Sequence, residues 1–425
     1  MLSINVEAAS SVSSAQVETI GSAVQKALIY YPSIQKAQAT ERGAEYALKQ
    51  ARGEFLPSVN LNYATGRQIF NGPTVVTPAG GTQTILHRVE RGIALSQPIF
   101  TGFSSYYLMK QRHGELDTAS FQVLGEKENI ALQAAQAYLQ VVRANQLVEL
   151  GQQNVKDHQH TLDSIKIQYR GGYSPKANVD LANARLALAY SLLSTLQGDR
   201  QNAITTYLQI IGHLPPKLIY PSAPRYCQLC DLDTIKKDAV ESNPLLKAAI
   251  AKVKAAYFAV ASAKGAFYPQ VSADVSENYN NNIDGVVGPV RDQKFLLSMK
   301  YNFFDGGMDY AKMKQAVANH AAAEHDMEQT RLSVLHDVEQ AWNNLQVAEK
   351  QVNQYAEYVK STQATVKGYE AQFKIGEQSL FNVLSMKDEL FQARQDYVTS
   401  KYNTLLYRYQ VLAVSGFLST VLTLN

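Results

Sequence analysis

The chain is written twice, and that fact limits what it can fold into. Phe55-Leu56-Pro57 returns as Phe267-Tyr268-Pro269, 212 residues later, and Tyr31-Pro32 returns as Asn243-Pro244 at the same offset. Further along the offset becomes 204. Phe100-Thr101-Gly102 matches Phe304-Asp305-Gly306, Tyr169 and Gly172 match Phe373 and Gly376, and Gly212 matches Gly416. One loop, around Thr77 to Thr84, is longer in the first copy. Turn and cap residues repeated in one order mean a duplicated structural unit. Function must lie in what two such units build together.

Each copy reads as helix, hairpin, long helix, helix. The first helical stretch runs from Ile34 to Phe55 in one copy and from Leu245 to Phe267 in the other, and the following prolines push Leu56 and Tyr268 out of the helical region. The pattern then alternates. Val59, Leu61 and Tyr63 interleave with Asn60 and Asn62, and Val271, Ala273 and Val275 interleave with Ser272 and Asp274. Period two means strand. Polar loops at Asn71-Gly72-Pro73 and Asn280-Asn281-Asn282 lead to returning strands, so each copy contributes one hairpin. The expected hairpins span about 58–99 and 270–303.

Thr101 and Asp305 then stand as N-caps. No proline follows for about 70 residues, and Leu332, Leu335, Val338, Trp342, Leu345, Ala348, Val352, Tyr355 and Val359 repeat nearly as a heptad. In the first copy Ile130, Ala134, Ala137, Val141 and Ala144 repeat in the same way. Helices over 101–171 and 305–375 would each be about 105 Å long and demand coiled-coil partners. Gly172 and Gly376 are the expected C′ residues. Ser174-Pro175 predicts a cap with an N1 proline, and Ser379 predicts the matching cap. Return helices then span 175–212 and 379–415. The first repeat therefore covers 20–212, a linker 213–231, the second repeat 232–416 and a tail 417–425. A return helix and a short first helix stacked end to end match one long helix, which predicts a rod of about 100 Å.

Composition excludes several functions. The formal net charge is only +3, too little for a protein that draws its affinity for nucleic acid from basic charge. No stretch reaches 18 apolar residues, so no transmembrane helix is expected; a membrane β-barrel leaves a far weaker signal. Tyr63, Phe70, Phe100, Tyr106, Tyr107, Tyr268, Tyr279, Tyr301 and Phe303 gather at strand ends and the adjoining helix start, as an aromatic girdle at a membrane boundary would, or as ordinary strand aromatics do. Four strands with open edges are too few to close a barrel alone. Met1 to Ala9 reads either as the end of a signal peptide or as an ordinary terminus. Cys227 and Cys230 in the linker read as a small disulfide in an exported protein, and otherwise as two thiols.

Catalytic and metal signals are weak. His158 and His160 project about 200° apart on a helix and cannot chelate one ion, so both read as surface histidines. His320, His325 and His336 share no metal spacing. There is no nucleophile elbow, Walker motif or His-Glu-x-x-His, so no catalytic residue, metal or cofactor is expected.

The ordered, doubled set resembles the TolC family of outer-membrane channel proteins, from about Ile20 to Gly416. The carrying residues include Gln97-Pro98-Ile99-Phe100-Thr101-Gly102, Tyr301-Asn302-Phe303-Phe304-Asp305-Gly306-Gly307, Ala135-Gln136-Ala137-Tyr138-Leu139, and the turns Gln168-Tyr169-Arg170-Gly171-Gly172 and Gln372-Phe373-Lys374-Ile375-Gly376. The resemblance implies an α+β membrane protein. As a homotrimer it would form a twelve-stranded barrel in outer-membrane lipid, continued by a long helical barrel in the periplasm, with Cys227 to Thr234 in an equatorial belt. It implies partners: a periplasmic adaptor and an inner-membrane ABC or RND transporter. The function implied is a passive exit duct. Type I protein secretion is the first expectation, because no cysteine near the N-terminus offers a lipid attachment point; multidrug efflux is the second. A soluble coiled-coil scaffold is the alternative of another class.

In such channels acidic residues commonly ring the periplasmic aperture. Alignment on Gly172 and Gly376 puts Asn178 and Asn382 there, with Ser385 one turn on and Gln378 where a gating arginine is expected. Lys176, Asp180, Lys387 and Asp388 are nearby charges. A non-acidic aperture, with amides tying the gate, is the resulting expectation.

Overall fold

A computed structural model describes residues 17–72, 83–224 and 231–423. Cys227 and Cys230 lie outside these residues. The chain divides into two compact units: one comprises residues 1–37, 122–246 and 331–425, the other 38–121 and 247–330.

In the first unit, strand β1 (Val17–Glu18) pairs in parallel with β4 (Lys217–Leu218). Helices α1 (Ile20–Tyr30) and α5 (Leu232–Ser242) are repeat equivalents. They were not anticipated as separate elements. Thr19 and Asp231 cap them, accepting from Ser22 N and Thr234 N. Each ends against a proline, and Tyr31 and Asn243 turn extended with ψ of 126° and 122°, as residues before proline must. Helices α2 (Pro32–Gly53) and α6 (Pro244–Lys264) start on those prolines, where a missing N–H costs nothing. Both therefore begin and end slightly earlier than expected, and a 3₁₀ turn, Gly265–Phe267, follows α6. Buried Asn243 joins three elements. Its Oδ1 accepts from Leu245 N at 2.9 Å and its Nδ2 donates to Val414 O at 2.8 Å.

The long helices are α3 (Ser104–Arg170) and α7 (Met308–Lys374), and the return helices are α4 (Lys176–Ile211) and α8 (Leu380–Val414). Helix α9 (Leu418–Thr423) occupies what was expected to be a plain tail. Pro175 is the N-cap of α4 and not its first helical residue, and makes no side-chain cap bond. Ser379 does cap α8, accepting from Asn382 N. The core of this unit packs Ala23, Val24 and Ala27 of α1 against Ala131, Ala134, Ala135 and Tyr138 of α3, with Tyr207 and Ile211 of α4 and Tyr402, Leu405 and Tyr409 of α8. Alanines on two facing stripes let helix backbones approach closely, and the tyrosines fill the space left. Buried Glu18 holds the β1 end. Tyr207 Oη donates to its Oε2 at 2.6 Å and Lys26 Nζ to its Oε1 at 2.8 Å. Burial pushes the Tyr138 hydroxyl up to about 12 and raises those of Tyr207, Tyr402 and Tyr409, so all four stay neutral.

In the second unit one antiparallel sheet runs β2-β3-β5-β6, from Ser58–Asn71, Gln83–Phe100, Gln270–Asn281 and Pro289–Lys300. The two hairpins join through β3 and β5, with Leu95 opposite Val275 and Arg91 opposite Tyr279. Tyr301 and Phe303 lie beyond the end of β6. Among the described residues, strand edges β2 and β6 have no partner. At the helix end of the sheet Gly102 takes φ +64, and a Cβ there would lie 2.3 Å from Gly265 O, so only glycine permits the crossing. The next residue, Phe103, also has φ +64.

Candidate functional site

The glycine turns are built alike. Tyr173 N donates to Gln168 O and Gly172 N to Tyr169 O. Glu377 N donates to Gln372 O and Gly376 N to Phe373 O. Both are Schellman closures, which satisfy the last helical carbonyls, and Gly172 and Gly376 supply φ of +80 and +83. Beneath the turns Ile165, Leu380 and Leu384 are buried together, with Val179, Leu181 and Phe373 against them. Gly171 is exposed beside Gly172.

The expected amides tie to their own helix starts. Asn178 Nδ2 donates to Ser174 Oγ at 3.1 Å, and Asn382 Nδ2 donates to Gln378 Oε1 at 2.6 Å. Ser174 and Gln378 are equivalent by the 204-residue offset, so two different side chains hold two equivalent asparagines. Asn178, Asn382 and Ser385 are half-buried and Asp180 is exposed.

The links between helices near the turns come from charged residues instead. Lys387 Nζ of α8 lies 2.8 Å from Glu370 of α7 and 3.1 Å from Thr161 Oγ1 of α3. Asp388 of α8 pairs with Arg185 Nη1 of α4 at 2.7 Å. His158 of α3 was expected on the surface. It is only 1% exposed, because it falls on the stripe of α3 that faces other helices. Its Nε2 is 3.2 Å from Asp388 Oδ1 but not aligned for a hydrogen bond, and neither ring nitrogen has a hydrogen-bond partner among the described residues. Next to these residues a cavity of about 480 Å³ opens between α3, α7 and α8, lined by Asp157, Thr161, Lys367, Glu370, Lys387 and Arg394 among others. Among the described residues no group of His, Cys, Asp or Glu is placed to hold a metal ion.

The sheet presents two unlike faces. Register places Val59, Leu61, Ile93, Leu95, Val271, Val275, Phe295, Leu297 and Met299 on one face. Phe295, Leu297 and Met299 are 77%, 74% and 71% exposed, an apolar surface that water would not tolerate. The other face carries Asn60, Asn62, Ser96, Asp274, Ser276 and Asn278, with Ser96 Oγ 2.5 Å from Asp274. Tyr63 and Tyr279 share the apolar face, whereas Phe70 alternates onto the polar one. At the helix end Phe100, Phe103 and Tyr268 stack edge to face, with centroids 5.2 and 6.5 Å apart, and Tyr301 and Phe303 are exposed nearby. Phe103 was missed in the sequence because nothing there announces its left-handed backbone. No described helix is long and apolar enough to cross a membrane.

Comparison with known proteins agrees with this geometry. BepC, an outer membrane efflux protein of Brucella suis, is 23% identical over 94% of this chain and 85% of its own length. TolC, an outer membrane protein of Escherichia coli, is 22% identical over 95% of this chain and 83% of its own length. Among solved structures, VceC, an outer membrane protein of Vibrio cholerae, superposes with a TM-score of 0.79 at 17% identity, over 93% of this chain and 96% of that one. CusC, a transmembrane channel, gives 0.82 at 15% identity over 93% and 91%. The family described as Outer membrane efflux protein matches residues 23–213 and again 236–416, one match per repeat. With both repeats matched, the chain belongs to the outer membrane efflux protein family, whose members are passive channels of the Gram-negative outer membrane and not enzymes.

Proposed function

We propose that three copies of this chain close a twelve-stranded barrel and form the exit duct of a tripartite export system. One observation carries the reading: a four-stranded sheet with one apolar face and, among the described residues, unpaired edges at β2 and β6. An open edge cannot lie in lipid, and four strands cannot close on themselves. Pairing β6 of one copy with β2 of the next removes every edge. The polar face then lines the lumen, and Phe100, Tyr268, Tyr301 and Phe303 mark the periplasmic boundary of the bilayer. Mass measurement of the detergent-solubilised protein tests this. Three copies of the 47.0 kDa chain are expected; a stable monomer or dimer overturns it.

The helical turns form the periplasmic aperture, with Asn178, Asn382, Ser385, Gln378 and Asp180 around it. A periplasmic adaptor and an inner-membrane ABC or RND transporter complete the path. The cargo we assign first is a secreted protein by the type I route. Small-molecule efflux is the second reading, and BepC's description as an efflux protein favours it. Deletion of the gene separates them: loss of a secreted polypeptide from the medium supports the first, and drug sensitivity alone overturns it. Cys227 and Cys230 are proposed to form a disulfide. Thiol labelling of unreduced protein tests that, and quantitative labelling of both refutes it.

A further inference from the structure

The apolar face of the sheet is not apolar throughout. Toward the loop end of the strands, register sets Tyr63, Arg91, Tyr279 and Arg291 side by side across all four strands. Farther toward the loops Arg67 stands opposite His87 on the same face. That face thus holds three arginines and one carboxylate, Glu277. The acidic residues Glu90, Asp274 and Asp292 all alternate onto the other face. Three of the four strand carboxylates therefore lie on the other face, together with Arg88, Lys294 and Lys300, whereas the apolar face carries its three arginines toward the loop end with a single carboxylate beside them.

The arginines are exposed. The Arg91 guanidinium lies 5.5 Å over the Tyr279 ring, and among the described residues no carboxylate is within ion-pair distance of it. Arg291 Nη2 is 2.5 Å from Glu277, which neutralises part of its charge. An arginine facing hydrocarbon is strongly destabilising at mid-bilayer and far less so near the interface. The row must therefore sit at the interface, where an unpaired guanidinium needs an anion. Arginine's planar fork suits phosphate in two parallel hydrogen bonds, and the Tyr279 ring beneath Arg91 holds it in place.

We propose that Arg91, with Arg67 and Arg291, binds the phosphates of the phosphorylated glycolipid in the outer leaflet. The helices lie at one end of the sheet and the loops at the other; with the helices in the periplasm, the arginine row faces the outer leaflet. Arg91 and Arg291 stand two strands apart, about 10 Å, a separation that one disaccharide headgroup with a phosphate at each end can span. The proposal rests on the reading of this sheet as barrel wall.

Native mass spectrometry of the purified assembly with added lipid A tests it, comparing the bis-phosphorylated lipid, its chemically dephosphorylated form and inorganic phosphate. Wild type is expected to retain the phosphorylated lipid at least tenfold more than the dephosphorylated form, and millimolar phosphate should not displace it. Arg91→Gln alone should lower retention, and the triple change with Arg67→Gln and Arg291→Gln should abolish the preference. Equal retention of both lipids by wild type, or an unchanged preference in the triple variant, overturns the proposal, as does displacement by free phosphate. Heat-modifiable gel migration reports barrel formation separately. A barrel that shows no lipid preference sinks only this proposal, whereas failure of wild type to form a barrel sinks the parent reading as well.

Discussion

Arg185 of α4 holds Asp388 of α8 at 2.7 Å, 203 residues along the chain, directly beside a buried histidine. Asp388 is therefore not an open carboxylate available to ring a pore. Its two oxygens face Arg185 and His158, and the pair with Arg185 ties α8 to α4.

The first prediction follows from that pairing. Arg185 and Asp388 are 25% and 31% exposed, so breaking the pair should cost about 1–2 kcal/mol, between the surface and buried limits. Arg185→Ala and Asp388→Ala should be non-additive in a double-mutant cycle. Thermal melts of the four proteins measure this. Additive losses would mean the pair contributes nothing as a pair.

A second prediction concerns the aperture. Asn382→Asp with Ser385→Asp would add six carboxylates per trimer in a narrow space, where their field is focused. Planar-bilayer recordings should show increased cation selectivity and new block by multivalent cations. Should wild type already be strongly cation-selective and blocked, exposed Asp180 is the residue to change next. If the double variant does not respond, these positions do not line the pore.

Glu128 supplies a pH test. Burial raises its carboxyl above the usual 4.5, opposed by the Ser419 hydroxyl and the backbone N–H groups of Ser419 and Leu418. A raised folded value means that its contribution is fully present below about pH 4.5 and is lost as pH rises through the folded value. Glu128→Gln keeps an acceptor for Ser419 without the charge. At pH 7 the variant should match or exceed wild type in melting temperature, and that advantage should vanish near pH 4. A variant clearly less stable at pH 7 would show that the ionised hydrogen bonds outweigh burial.

Glu18 gives the last prediction. It is 3% exposed and accepts from the buried Tyr207 hydroxyl. Glu18→Ala strands that hydroxyl and should cost about 1–3 kcal/mol. Tyr207→Phe in the same background should recover part of the loss, because it removes the unsatisfied group. Failure of this rescue in thermal melts would place the cost elsewhere.

Local signals made much of this fold legible. Alternation at Val59 to Tyr63 and Val271 to Val275 announced strands, and the proline-free heptads announced the long helices. Helices α1 and α5 were missed although Ile20 and Leu232 keep the same 212-residue offset, because their caps, Thr19 and Asp231, are single residues with many other uses. His158 was misplaced because a lone histidine on an amphipathic helix carries no mark of which stripe it occupies. For the proposed aperture the sequence offered only positions. Asn178 and Asn382 bond locally, whereas the links between helices use Lys387, Asp388 and Arg185, whose partners are set by tertiary packing that no spacing reveals.

The equivalence of Ser174–Asn178 and Gln378–Asn382 has an evolutionary consequence. In the proposed trimer the tip would have six near-equivalent stations of two kinds, each kind encoded once and present three times. One codon change therefore alters alternate stations and leaves the other three as they were. A channel made by true sixfold repetition of one helical hairpin would have to accept every mutation six times over. Here serine in one repeat and glutamine in the other already hold the equivalent asparagine at different reach. The duplicated chain can drift toward two kinds of gate contact within a single pore, one half preserved while the other is remade.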